Sequence, residues 1–122
     1  GIFEELQKEL IAIPIVYFDF DKSFIRPVHM KELERTAIMM RRMPNLNLYI
    51  EGHTDQRGSE EYNKSLSERR SEVVMKYLVN RGVDAARMQH EWFGKTRPVV
   101  DCGECNAAQH QLNRRTELKL KK

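Results

Sequence analysis

The segment that most restricts the fold runs from Leu46 to Gly82. Leu46, Leu48 and Ile50 alternate with Asn47, Tyr49 and Glu51, then give way to Gly52-His53-Thr54-Asp55. A period of two marks a strand with one buried face. Gly58 then makes a turn, Ser59 offers a helix cap, and Glu60 with Glu61 supplies an acidic first turn. Leu66, Val73, Tyr77 and Leu78 give the expected helix an apolar stripe until Gly82 closes it. Asn63, Ser67, Arg70 and Val74 form a second stripe beside the first, expected at the margin between core and solvent. A strand that turns straight into an amphipathic helix predicts a helix packed back on a sheet. It also places an acid, Asp55, and a base, Arg70, around one corner. Together they make a chemically plausible seat for a zwitterion, with the aspartate taking an ammonium group and the arginine gripping a carboxylate.

The rest of the chain repeats the theme. Ile13 to Asp21 is β-branched and aromatic and reads as a central strand ending in two acids, followed by a turn at Lys22-Ser23. Pro27 supplies a helix start, with Met30, Leu33, Ala37 and Met40 on one face and Pro44-Asn45 as the stop. Met88 to Gly94, with Trp92, reads as a third strand. Thr116, Leu118 and Leu120 alternate with charged residues in a fourth, after a short helical stretch near Ala107 to Leu112. The expected fold is α/β, a two-layer sandwich in which helices pack on a mixed, roughly four-stranded sheet whose terminal strand is open to antiparallel placement.

With 122 residues, 40% hydrophobic and 32% charged, the chain suits one domain with one core. Residues 14–122 are expected to form it, and residues 1–13, with Phe3, Leu6 and Leu10 at helical spacing, a tether or short helix. Gly1-Ile2-Phe3-Glu4-Glu5 lacks both an initiator methionine and the pattern of a signal peptide, so the expectation is a piece of a longer protein. No apolar run approaches the roughly 20 residues needed to cross a bilayer, so direct membrane insertion of this domain is not expected. A net charge of +3, with Lys and Arg interleaved among Glu, argues against nucleic acid as the partner.

Cys102 and Cys105 enclose Gly103-Glu104 in one loop, and three readings compete. Zinc would need further ligands, with only His110 and distant His90 at hand. A thioredoxin-like motif belongs at a strand-to-helix junction early in its fold, whereas this pair comes late. A small structural disulfide is favoured, and it would belong to an oxidising compartment. Catalysis at the corner lacks a serine or cysteine with a recognisable activating base, and His53 with Asp55 lacks a third metal ligand. His53 is therefore expected to be a hydrogen-bonded histidine holding the strand end. No catalytic residue, metal or cofactor is assigned. On these grounds Asp55 remains open as a cap of its own turn, and Arg70 as a partner of Glu60 or Glu61.

Four ordered segments carry a resemblance. Val16-Tyr17-Phe18-Asp19-Phe20-Asp21-Lys22-Ser23, Glu51 to Ser59, Tyr62 to Ser71 and Asn113-Arg114-Arg115-Thr116-Glu117 resemble the C-terminal peptidoglycan-binding domain of the outer-membrane protein A (OmpA) family, which peptidoglycan-associated lipoprotein and MotB share. The match runs from about Pro14 to Leu120. The resemblance implies a non-catalytic domain that binds the peptide stem of peptidoglycan through meso-diaminopimelate. Asp55 would pair its ammonium and Arg70 its carboxylate, with Phe20, Asp21, Thr54, Asn63 and Leu66 lining the pocket. It also implies a place on the periplasmic face of the outer membrane, where the domain would anchor a larger envelope protein to the wall, possible settings being a secretion or motility complex. Asn113, Arg114 and Arg115 are read as structural. A periplasmic protein-interaction module and a peptidoglycan hydrolase are the alternatives.

Overall fold

The computed structural model describes residues 13–121. Four strands form one sheet: β1 (Ile15–Tyr17), β2 (Asn47–Gly52), β3 (Met88–Trp92) and β4 (Arg115–Lys121), in the order β1-β4-β2-β3. β4 runs antiparallel to both β1 and β2, and β3 lies parallel to β2. Two long helices, α1 (Met30–Arg42) and α2 (Glu60–Asn80), face the sheet, and a short helix, α3 (Ala107–Asn113), leads into β4. The expected two-layer mixed sandwich is therefore found.

The core explains the layering. Val16, Leu48, Ile50, Met88 and Leu118 from the strands meet Leu33, Ala37 and Met40 of α1 and Val74 and Leu78 of α2, all buried. Leu48 and Ile50 point at the helices, which leaves Tyr49 and Glu51 on the opposite face. Glu51 is nonetheless buried, because Lys119 Nζ lies 2.6 Å and Arg97 Nη1 3.6 Å from its carboxylate. Charged side chains thus roof the sheet at that end.

Three expectations are corrected. The first strand is short, ending at Tyr17, and sits at the sheet edge rather than its centre, with Ile15 exposed. The apolar run extends past the strand because Phe18, in the loop beyond it, is completely buried along with Val16. The second stripe of α2 is not marginal: Asn63, Ser67, Arg70 and Val74 are all buried. The cause is the close approach of β2, since a Cβ on Gly52 would overlap the Ser67 carbonyl oxygen. The third correction concerns His53 and is described with the site. The proposed tether lies outside the described residues apart from Ile13, which packs on the core.

α1 follows a 3-10 turn, Pro27–His29, and Ser59 caps α2 by accepting from the Tyr62 N–H at 3.1 Å. Gly58 and Gly82, with φ of 94° and 92°, bracket α2 in the left-handed region that glycine tolerates. Among the described residues no helix is long and apolar enough to cross a membrane.

Candidate functional site

The antiparallel pairing brings the start of β4 beside the ends of β1 and β2. Phe18 N–H donates to the Arg114 carbonyl at 2.9 Å, and His53 N–H to the Arg115 carbonyl at 2.8 Å. Segments 18–21 and 52–55 are therefore held at one end of the sheet, over the first half of α2. Between them lies a cleft of about 120 Å³. All seven residues expected at the site line it: Phe20, Asp21, Thr54, Asp55, Asn63, Leu66 and Arg70. Arg57, Gly58 and Tyr62 complete the wall.

Arg70 forms the floor. It is fully buried, and its guanidinium donates through Nε to the Lys22 carbonyl at 2.9 Å, Nη1 to the His53 carbonyl at 3.1 Å and Nη2 to the Asp19 carbonyl at 3.3 Å. Neither Glu60 nor Glu61 is its partner. Its Cζ also lies 5.2 Å from the centroid of the Phe18 ring. Burial, then the neighbouring Arg114 charge, lowers its pKa to about 10, so it remains a cation at neutral pH. Of the five N–H donors a guanidinium carries, these bonds use three. The other two make no bond among the described residues, and Arg70 lines the cleft.

Asp55 sits on the cleft wall with only 6% of its side chain exposed. Its Oδ1 accepts from the Arg57 main-chain N–H at 2.9 Å and from Arg57 Nε at 3.2 Å. Its Oδ2 takes Arg57 Nη2 at 2.8 Å and lies 3.5 Å from Arg114 Nη1. Asp55 thus does cap its own turn. Burial pushes its pKa up, but the hydrogen bonds and charge of Arg57 outweigh this, and the net shift is downward. The carboxylate is ionised at neutral pH.

The remaining residues hold the frame. Asn63 Nδ2 donates to the Arg57 carbonyl at 2.7 Å, tying the 55–58 turn to α2. The Tyr62 hydroxyl donates to the Asp21 carboxylate, and Asp21 itself adopts φ of 59°. Thr54 Oγ1 donates to the Asp55 carbonyl at 3.0 Å. Phe20 is 59% exposed, with Arg57 Cζ 4.4 Å from its ring centroid. Arg69, next to Arg70, is exposed and donates to Ser65 Oγ at 2.8 Å.

His53 departs from expectation. Its ring is buried, stacked 5.5 Å from Phe93, and neither ring nitrogen has a hydrogen-bond partner among the described residues. Nε2 comes within 3.7 Å of Glu117 Oε2, but that carboxylate is already taken by Arg115 at 2.7 Å. Burial first, and then the charges of Arg115, Arg97 and Lys119, lower the His53 pKa to about 3. The ring is a neutral packing element, while the main chain of His53 serves Arg70.

Cys102 and Cys105 form a disulfide. Its loop reaches the site through Gln56, whose Oε1 accepts from Cys102 N–H at 3.3 Å and whose Nε2 donates to Asp101 Oδ1 at 2.9 Å. Asn113 is structural, its Oδ1 accepting from Val99 and Val100 N–H at 2.7 and 3.0 Å. Arg115 is structural too, donating to Glu117 and to the Asn113 and Arg97 carbonyls. Arg114 combines both roles, since it bonds the Phe18 carbonyl at 2.9 Å and faces Asp55. Sequence reasoning missed Arg57 and Tyr62 as lining residues. Tyr62 had a signal, lying one helical turn before Leu66 and two before Arg70. The Arg114 contact with Asp55 had none, because it is made only when β4 folds back beside β2.

The cleft can hold a small group that offers a cation to Asp55 and an anion to Arg70. Among the described residues there is no group of histidine, cysteine and carboxylate side chains able to hold a metal ion.

Comparison with known proteins gives a consistent pattern. The model of the OmpA family matches residues 17–112. The chain is 41% identical over 110 residues to peptidoglycan-associated lipoprotein of Pseudomonas aeruginosa, covering 90% of this chain and 64% of that protein. It is 40% identical over 89 residues to peptidoglycan-associated lipoprotein of Rhizobium meliloti, covering 73% and 51%. The chain spans between about half and two thirds of the length of these two relatives. The crystal structure of peptidoglycan-associated lipoprotein from Burkholderia pseudomallei superposes with a TM-score of 0.86 at 33% identity, covering 91% of this chain and 92% of that one.

Proposed function

The chain belongs to the OmpA family, and from that premise we propose that residues 14–122 form a non-catalytic domain that binds peptidoglycan through the meso-diaminopimelate of its peptide stem. The observation that carries this reading is the cleft itself, where a buried, ionised Asp55 and a buried cationic Arg70 share one small space. The end of diaminopimelate that is free in the stem bears an ammonium and a carboxylate on one carbon. Asp55 takes the ammonium, and the unused Arg70 donors take the carboxylate. Phe20 and Leu66 cover the carbon chain, while Thr54, Asn63 and Asp21 complete the polar wall. Because Arg70 and Asp55 are fixed by several bonds each, little ordering remains to be done when the ligand arrives.

In this role the domain anchors a larger envelope protein to the cell wall from the periplasmic face of the outer membrane. The Cys102–Cys105 disulfide supports an oxidising setting.

The test is co-sedimentation with purified sacculi, with soluble meso-diaminopimelate as competitor. Asp55→Asn keeps an oxygen for the turn and removes the charge, so it should weaken binding by roughly 10- to 100-fold, the factor expected for a charge-assisted bond. Full retention by the variant would sink the reading. Soluble fragments released from sacculi, seen by mass spectrometry, would overturn the non-catalytic assignment.

A further inference from the structure

We infer that Arg57 is a built-in competitor for the ligand's ammonium, a displaceable cation that makes an ammonium group the condition for entry to the cleft. The inference rests on the reading of Asp55 as the ammonium site. A carboxylate has about four lone-pair positions. In Asp55 all are engaged: Oδ1 by the Arg57 main-chain N–H and Nε, at 2.9 and 3.2 Å, and Oδ2 by Arg57 Nη2 and Arg114 Nη1, at 2.8 and 3.5 Å. An ammonium can reach Asp55 only by displacing one of these donors.

The four donors differ in freedom. The main-chain N–H belongs to the turn itself. Arg114 is 9% exposed and anchored to the Phe18 carbonyl and Gln111 Oε1 at 2.9 and 3.0 Å. The Arg57 side chain is 47% exposed, and apart from Asp55 its guanidinium contacts the face of exposed Phe20. Arg57 also lines the cleft, beside Phe20, so the solvent-exposed partner of Asp55 stands in the space a ligand would fill. Arg57 is therefore the donor that yields. Until it does, it neutralises Asp55, so the empty cleft does not leave a desolvated anion unpaired. A ligand with carboxylates but no ammonium gains nothing by expelling it.

The test compares wild type with Arg57→Ala and Arg57→Gln by NMR titration with two probes, soluble meso-diaminopimelate and pimelate, the same carbon chain with no amino groups. Removing the competitor should tighten diaminopimelate binding by roughly two- to fivefold, the worth of a partly exposed ion pair. Pimelate should bind more weakly to the variants, since Asp55 would then repel it. In wild type, the Arg57 Nε–H resonance should move toward that of free arginine as diaminopimelate saturates the cleft, a readout that needs no variant. Equal or weaker diaminopimelate binding by both variants, or an unmoved Arg57 resonance at saturation, would overturn the competitor while leaving the Asp55 site standing, provided Asp55→Asn has lost binding. Undiminished binding by Asp55→Asn would remove both.

Discussion

Arg70 Nη1 donates to the main-chain carbonyl oxygen of His53 at 3.1 Å, so the floor of the cleft is bolted to the end of β2. The same guanidinium bonds the Lys22 and Asp19 carbonyls, joining the loop after β1 to α2. A residue expected to meet ligand is thus also a structural tie.

Replacing it should therefore destabilise the protein as well as the complex. Arg70→Met would leave these three carbonyls without their donor, and a loss of about 3–5 kcal/mol is expected in urea denaturation. Arg70→Lys keeps the charge but not the fork, with an expected loss of about 2 kcal/mol. Stability equal to wild type in both would show that the floor is held by other contacts.

Gly52 is required by crowding. Any Cβ there would enter the Ser67 carbonyl, which is backbone and cannot rotate aside. Gly52→Ala should cost about 3 kcal/mol. Because the segment leaving β2 carries Asp55 and α2 carries Arg70, the surviving folded fraction should also bind more weakly, measurable by titration below the melting temperature.

Acid should weaken the fold through His53. Its folded pKa, near 3, lies below its ordinary value of 6.5, so the folded state resists protonation that the unfolded chain accepts. The stabilising contribution is complete above about pH 6.5 and is lost progressively below it, by about 2 kcal/mol at pH 5. Asp55 adds a loss in the same direction only at lower pH, within and below the carboxylate range. Urea midpoints measured from pH 7 to 5 should fall for wild type and stay flatter for His53→Phe. An equal slope in both would place the sensitive group elsewhere.

The Cys102–Cys105 ring is small, so reduction should cost about 2 kcal/mol or less, read as a modest drop in melting temperature. Cys102→Ser should reproduce the drop and abolish its dependence on reductant. A cost well above this would mean that the loop also supports the 55–57 turn through Gln56, which Cys102 N–H and Asp101 both hold.

The local patterns of the chain read correctly where one residue's neighbours in sequence are also its neighbours in space. Alternation around Leu48 and Ile50, the Ser59 cap and the Gly58 and Gly82 turns each depend on a few consecutive residues. The sequence alone therefore settled the two-layer α/β architecture, while the grouping of the seven lining residues came from the family resemblance of its motifs. What it could not settle were quantities created by packing. β1 looked central because its apolar run continues through Phe18, but an apolar run reports burial and not position in a sheet. His53 looked like a hydrogen-bonding group, yet the stack on Phe93 and the prior claim of Arg115 on Glu117 leave its ring without a partner. Tertiary structure alone decided how deeply Arg70 lies, which carbonyls it holds, and that Arg114 reaches Asp55. Those facts depend on Ser67 meeting Gly52 and on β4 returning beside β2. Contacts between segments so far apart in the chain leave no mark in local periodicity, because each side of the contact is chosen by the other only after the sheet has closed.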